Sequence, residues 1–260
     1  AIALALFLYA ARMFFITAFY HRYFSHRTFK VARPTQFVMA VLGCTCGQRG
    51  PIWWAGHHRK HHMSSDQADD PHSPRVRGFW FSHTLWFLTR GTFVTPSKRV
   101  RDWLYFPELR LLEKVEWLPF VMLGGASFSL GEVLAMQAPA LGTSGAQMFV
   151  VGFLGSTVML YHATYATNSI AHQYGTRRFV TNDASRNNAW VALITLGEGW
   201  HNNHHRFPAS AKQGLMRWEL DPTWWGLRAL ARLGLVQDLK TVSAQRLASA
   251  ERATSAAAHH

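Results

Sequence analysis

Acidic residues and cysteine are both scarce in this sequence. Only 14 Asp and Glu stand against 27 Lys and Arg, which gives a formal charge of +13 and predicts a polyanionic partner or an acidic membrane surface. The two cysteines, Cys44 and Cys46, are too close together for an easy disulfide, so a disulfide-stapled secreted scaffold is excluded. So few thiols also exclude thiolate zinc fingers and iron–sulfur clusters. With 48% hydrophobic and only 16% charged residues, the chain is not a disordered tail.

Charge is missing altogether from one long stretch, since no Asp, Glu, Lys or Arg lies between Glu132 and Arg177. A membrane-spanning helix needs about 20 predominantly apolar residues. Spans are therefore predicted at about 117–136 and 147–168, and a third at about 1–20, which only Arg12 interrupts. The apolar run at 36–46 is too short to cross, so an interfacial or re-entrant segment is expected there. The Trp-rich segment 215–239 has the composition of an interfacial helix. The predicted fold class is all-α: an integral membrane protein built from transmembrane helical hairpins.

The basic residues predict the topology. Every Lys and Arg except Arg12 lies between Arg22 and Lys114 or between Arg177 and Arg252. Two crossings separate the polar blocks 21–114 and 172–250, so both lie on one side, which the positive-inside rule assigns to the cytoplasm. The same parity puts Ala1 on the far side, and the chain starts without Met, so four spans are expected in the complete chain. We predict a single domain over 1–258, followed by a tag remnant at His259 and His260.

Histidines form three short clusters in the polar blocks, at 21–26, 57–62 and 201–205. The second and third share the pattern H-x-x-H-H, which places three imidazoles within one turn of a helix. A lone histidine is more often a hydrogen-bonded core residue, but this repetition indicates metal binding. Imidazole ligation suits Zn, Cu, Fe and Ni. Because one ion takes only about four such ligands, eight or more nitrogens predict two metal ions.

The order of these clusters, with Gly-Glu-Gly-Trp-His-Asn-Asn-His-His at 197–205, resembles the three histidine boxes of the membrane fatty acid desaturases. The segments Asp-Pro-His-Ser at 70–73 and Asn-Ser-Ile-Ala-His at 168–172 agree with the stearoyl-CoA (acyl-CoA delta-9) branch, in a bacterial-type member. The resemblance implies four transmembrane helices, a cytoplasmic helical cap that carries the boxes, and a bacterial inner membrane location. It implies that Asn168 reaches one metal through water and that the direct ligands are His21, His26, His58, His61, His62, His172, His201, His204 and His205.

The resemblance further implies a non-haem di-iron enzyme that uses O2 and two electrons to introduce a cis double bond into a saturated acyl chain. His57, His72 and His83 fall outside the implied ligand set, and His162, within a span, is expected to form an interhelical hydrogen bond. Carboxylates near the boxes are candidates to orient ligand imidazoles through their second nitrogen. These candidates are Asp66, Asp69, Asp70 and Glu198.

In the animal acyl-CoA enzymes that this sequence resembles, an Arg-Asp pair stands in the second box, and its Arg helps to hold CoA. Here Gly56-His57 take its place, so the carrier of the acyl chain is left open. CoA, acyl carrier protein and phospholipid all suit the basic blocks. Electrons are expected from a separate ferredoxin, rubredoxin or cytochrome, and nucleic acid is not an expected partner. The alternatives are a related di-iron acyl-chain enzyme (acetylenase, hydroxylase, ketolase or terminal-alkene-forming decarboxylase) and a non-enzymatic metal-binding membrane protein.

Overall fold

The computed structural model describes residues 1–257, and no β-strand occurs among them, so the all-α prediction is confirmed. The longer helices are α1 Ile2–Ser25, α2 Arg33–Cys44, α3 Pro51–Ser64, α4 Pro107–Lys114, α5 Leu118–Gln137, α6 Gly145–His172, α7 Ala189–Ile194, α8 His201–Arg206, α9 Pro222–Arg232 and α10 Ala244–Ala257. Short helical turns lie at Pro74–Arg77, Phe81–Leu85, Trp86–Leu88, Arg90–Thr92, Ser97–Arg99, Arg101–Leu104 and Pro139–Leu141. The predicted domain end at 258 and the tag residues His259 and His260 lie outside the described residues.

Three helices are long and apolar enough to cross a membrane, and they coincide with the three predicted spans. Helix α6 packs against both α1 and α5. Helix α1 continues to Ser25 and α6 to His172, beyond the predicted ends near 20 and 168. Both extensions carry histidines of the predicted site, so the site begins where the apolar spans end.

Arg12, the one charged residue in the first span, is buried between α1 and α6. Its guanidinium donates to the hydroxyl oxygens of Thr157 (2.8 Å) and Ser156 (2.6 Å) and to the Phe153 carbonyl (3.4 Å). The charge therefore turns away from lipid and joins the two helices, which is how an intramembrane arginine is tolerated.

The segments expected at the interface, 36–46 and 215–239, contain the short helices α2 and α9, and both helices expose large apolar side chains. In α2, Phe37 and Val38 are exposed, whereas the next residue, Met39, is buried. In α9, Trp225 is exposed and Leu227 is fully buried. Neither helix is long enough to span a bilayer.

Helix α3 carries the second histidine box and begins without an acidic residue or side-chain cap of its own. Glu113 of α4 provides the missing acceptor, because its carboxyl accepts from the backbone N–H groups of Ile52 (3.0 Å) and Trp53 (2.7 Å). Glu116 accepts from Gly50 N–H at 2.7 Å. Burial raises the pKa of Glu113 to about 7 although the two N–H groups lower it. These contacts satisfy orphan donors at the helix start and fix α3 relative to α4.

Replacing Glu113 tests this cap. We expect Glu113→Ala to destabilise the protein by about 1–3 kcal/mol, because two buried N–H groups lose their acceptor. Glu113→Gln keeps a neutral acceptor oxygen and should stay close to wild type. Thermal unfolding in detergent, monitored by circular dichroism, measures the difference. Glu251→Ala, an exposed acid on α10, is the control, and an unchanged midpoint for Glu113→Ala would disprove the cap.

Candidate metal centre

The first histidine box lies in a π-helical stretch of α1, Phe15–Ser25. In an α-helix, residues five apart point about 140° away from each other. In a π-helix, i→i+5 hydrogen bonds stack such residues, and here His26 N–H donates to the His21 carbonyl at 3.3 Å. The two rings lie 4.9 Å apart between centroids. The local departure from α-helix therefore makes an H-x-x-x-x-H spacing serve one site.

The second and third boxes lie on α3 and α8, and each divides its histidines between two clusters. In α3, His58 and His62 face one cluster and His61 the other. In α8, His201 and His205 share a cluster and His204 belongs to the opposite one. Residues at i and i+4 point in nearly the same direction, whereas i+3 is offset. One turn of helix thus contributes to both clusters.

The nine histidines predicted as ligands all come together in these two clusters. Cluster A consists of His21, His26, His58, His62 and His204, and cluster B of His61, His172, His201 and His205. Within cluster A, the Nε2 atoms of His26 and His58 are 2.8 Å apart and those of His21 and His204 are 3.0 Å apart. Within cluster B, the Nε2 atoms of His172 and His201 are 3.0 Å apart.

Carboxylates engage the other ring nitrogen in four of these histidines. Nδ1 lies 3.0 Å from Asp70 in His61, 2.9 Å from Asp66 in His172, and 2.6 Å from Asp183 in His205. Nδ1 of His21 contacts Glu198. A proton held on Nδ1 leaves the Nε2 lone pair free, so each carboxylate fixes the tautomer that binds metal.

Three of the four carboxylates predicted to orient imidazoles therefore do so, namely Asp66, Asp70 and Glu198. Asp69 does not, since it is exposed at the surface. Asp183 was not among the predicted carboxylates, because nothing in its spacing connects it with the histidine boxes. The loop around Glu198 is held by Arg22, which bridges Glu198 (3.2 Å) and Asp221 (2.9 Å) in a buried ion-pair network.

Burial favours the neutral form of six of these imidazoles. It lowers the pKa of His26, His58, His62, His201 and His204 well below the usual value, and neighbouring histidines lower it further. Burial also lowers the pKa of His205 to about 4, although Asp183 opposes the shift. For Asp66, burial raises the pKa but the bond from His172 outweighs it and brings the pKa to about 2. Neutral rings beside ionised carboxylates are the protonation states that a metal site requires.

The donor set fits two metal ions. Ligand nitrogens at roughly 2.1 Å from an ion and at right angles to each other lie roughly 3.0 Å apart, close to the Nε2 separations in both clusters. In cluster B, the buried Nε2 atoms of His61 and His205 have no hydrogen-bond partner among residues 1–257. Such atoms are costly to leave unsatisfied. Both clusters can hold a metal ion, and they offer imidazole nitrogen as donor.

The other predicted residues lie around the clusters. Asn168 lines a cavity next to His201, and its ligation through water stays a prediction. His72 stacks on His61, with ring centroids 4.3 Å apart. The hydrogen bond expected for His162 is confirmed: its Nδ1 lies 3.1 Å from Nε2 of His83, on the short turn Phe81–Leu85.

A largely apolar cavity runs beside the clusters, with histidines of both in its wall. His21 and His58 of cluster A and His201 of cluster B line it, together with apolar side chains such as Met13 and Ile16. A separate surface depression reaches His172 of cluster B and is lined by Arg75, Gln173, Tyr174, Ala184 and Arg186. The centre therefore borders an apolar cavity and a cationic depression.

The family model described as fatty acid desaturase matches residues 1–238. The chain belongs to the fatty acid desaturase family. An acyl-CoA 5-desaturase of Anemone leveillei is 38% identical over 245 residues, 92% of this chain and 72% of the relative. An sn-2 palmitoyl-lipid 9-desaturase of Nostoc sp. (strain 36) is 39% identical over 222 residues, 84% of this chain and 73% of the relative.

A third relative, delta-9 acyl-lipid desaturase 1 of Arabidopsis thaliana, is 36% identical over 256 residues, 94% of this chain and 76% of the relative. The family resemblance stated from the histidine boxes is thus confirmed. This desaturase is an oxidoreductase acting on fatty acyl chains, and its two histidine clusters are placed to hold metal. Membership of an enzyme family contradicts the alternative of a non-enzymatic metal-binding protein.

Asp183 offers a test of the orienting carboxylates. We expect Asp183→Asn to weaken metal binding about 10- to 100-fold, because His205 loses the charged partner of Nδ1. Elemental analysis after dialysis against graded chelator measures retained iron, zinc and copper per chain. Asp69→Asn, the exposed neighbour of the boxes, is the matched control. Equal retention in both variants would show that Asp183 has no such role.

Proposed function

We propose that this desaturase is a non-haem di-iron enzyme that introduces a cis double bond into a saturated acyl chain. Cluster A and cluster B would each hold one iron, with Asn168 contributing through water. Iron bound there supplies, with O2, the oxidising power to remove hydrogen from an unactivated C–H bond. The balance is –CH2–CH2– with O2, two electrons and two protons, which gives –CH=CH– and two waters.

The observation that carries this proposal is the apolar cavity that has histidines of both clusters in its wall. A methylene chain offers no polar handle, so its position must be set by the shape of its binding site. Met13 and Ile16 on α1 provide apolar contact, while His58 and His201 bring the two clusters to the same wall. A chain lying in this cavity would expose a defined pair of carbons to the centre.

The carrier of the acyl chain belongs to the same proposal. Relatives are named as acyl-CoA and as acyl-lipid desaturases, and both head groups, like acyl carrier protein, present anionic groups to a basic surface. We place the basic blocks, and with them the metal centre, on the cytoplasmic side of a bacterial inner membrane, because positive residues favour that side.

Product analysis tests the reaction. Cells that express the protein should accumulate monounsaturated fatty acids, and gas chromatography with mass spectrometry of their methyl esters gives both reaction and double-bond position. His61→Ala removes a cluster B imidazole and should abolish the product. An oxygenated, shortened or alkynyl product would instead support the hydroxylase, ketolase, decarboxylase or acetylenase alternatives.

Electrons would enter at the cationic depression next to His172. Arg75 is exposed there and Arg186 is half-buried, which suits an acidic ferredoxin, rubredoxin or cytochrome. Attraction between opposite charges speeds such encounters and is screened by salt.

Charge reversal tests this entry point. We expect the double variant Arg75→Glu/Arg186→Glu to slow reduction of the metal-loaded protein by a reduced [2Fe–2S] ferredoxin at least tenfold at low salt, and to lose the salt dependence. Stopped-flow absorbance measures the rate, and rubredoxin and cytochrome b5 can be compared in the same way. Arg110→Glu, an exposed arginine on α4, is the control. Equal slowing by this control would mean that net charge, and not the depression, governs the encounter.

A further inference from the structure

His57 is a buried histidine that the two clusters do not use. It follows Gly56 on α3, is 4% exposed, and lines the apolar cavity. Among residues 1–257, neither of its ring nitrogens has a hydrogen-bond partner, although the backbone carbonyls of Thr92 and Val94 lie nearby. Buried polar groups are almost always paired. An unsatisfied imidazole in the wall of a substrate cavity therefore indicates a ligand atom.

Trp86 is a second unsatisfied donor at the same end of the cavity. Its indole is buried and lines the cavity, and its Nε1 has no acceptor among the described residues. The ring centroids of His57 and Trp86 are 6.1 Å apart. The Trp53 ring contacts both: its centroid lies 4.5 Å from that of His57 and 5.9 Å from that of Trp86, on which it stacks. Two donors within a mainly aromatic wall can converge on one acceptor oxygen.

Residues beside this pair reach the protein surface, and one of them, Arg49, forms an ion pair with Glu116. The Arg49 guanidinium is 5.4 Å from the Trp53 ring and 5.9 Å from the Phe93 ring, and Phe93 is exposed. Other parts of the lining, Met13 and Ile16, belong to membrane-spanning α1. An amphipathic ligand fits with its polar end at His57 and Trp86 and its apolar end along α1.

Resting on the proposed function, we propose that His57 and Trp86 donate hydrogen bonds to the carbonyl oxygen of the acyl group. That carbonyl is the one polar atom that CoA thioesters, acyl carrier protein thioesters and lipid esters share. Anchoring it fixes how far the chain extends past the clusters. The pair therefore sets the position of the double bond, and it acts as a positioning device that takes no part in the oxidation.

Removing the carbonyl from the ligand tests this directly. Binding of hexadecanoyl-CoA to the full-length protein is compared with that of the S-hexadecyl thioether of CoA, which lacks only the carbonyl oxygen. A neutral hydrogen bond contributes about fivefold in affinity, so wild type should prefer the thioester about 5- to 30-fold. His57→Phe and Trp86→Phe should each lose most of that preference, while His57→Gln, which keeps a donor, should retain part of it.

His83→Phe is the matched control, because His83 is also buried but its ring nitrogens contact Ser169 and His162. Its preference for the thioester should match wild type. The same comparison of ligands with and without the carbonyl is repeated on acyl carrier protein, and on vesicles of dihexadecanoyl (ester) and dihexadecyl (ether) phospholipid. These measurements identify the carrier. An equal thioester preference in wild type, His57→Phe and Trp86→Phe, for every carrier, would overturn the inference.

Product position provides the second readout. Active His57→Phe protein should give double bonds spread over neighbouring carbons, with metal content equal to wild type, whereas a merely structural change would lower yield without moving the bond. If wild type desaturates and both variants keep its single position, the carbonyl site is wrong. If wild type desaturates no acyl substrate on any carrier, the proposed function itself fails.

Discussion

The structure depends on the burial of nine imidazoles in two adjacent clusters. A buried imidazole must satisfy two nitrogens, and in four of these histidines a carboxylate contacts Nδ1 and leaves Nε2 available to a metal ion. The ligand histidines come from α1, α3, α8 and the end of α6, so these elements must meet within a few ångströms. The π-helical end of α1 is one result of this requirement, since His21 and His26 would diverge on an ordinary α-helix.

The orienting carboxylates extend this constraint into the loops. Asp66 has a positive φ of 59° and uses its carboxylate to hold His172, Ser73 and the Ala184 N–H. Backbone strain of this kind persists only where surrounding contacts compensate for it. Glu198 follows Gly197, whose φ is 121°, and forms an ion pair with Arg22 in the last turns of α1. The loops are therefore as much a part of the centre as the helices that carry its ligands.

The position of the centre gives it two kinds of access. Helices α1 and α6 end at histidines of the clusters, and an apolar cavity lined in part by α1 reaches both clusters. On the surface, Arg75 and Arg186 line the depression at His172. The +13 charge by itself indicates only some anionic partner, whereas these two arginines mark a defined place on the surface of the desaturase. Substrate and electrons need not share one path.

Hydrophobic runs predicted the spans and the helical class, and histidine spacing predicted a site for two metal ions, because both signals are local in the sequence. The full set of clustered histidines, His172 included, came from the resemblance to the desaturase family. The carboxylate of Asp183, the cap from Glu113 and the unsatisfied pair His57 and Trp86 had no such signal. Each depends on contacts between residues distant in sequence: Asp183 meets His205, Glu113 meets Trp53, and Trp86 approaches His57. The sequence by itself determined which residues offer metal-binding nitrogen and which segments enter the membrane. Only the tertiary structure decided which histidines of different helices share a cluster, since that depends on how α1, α3, α6 and α8 pack together.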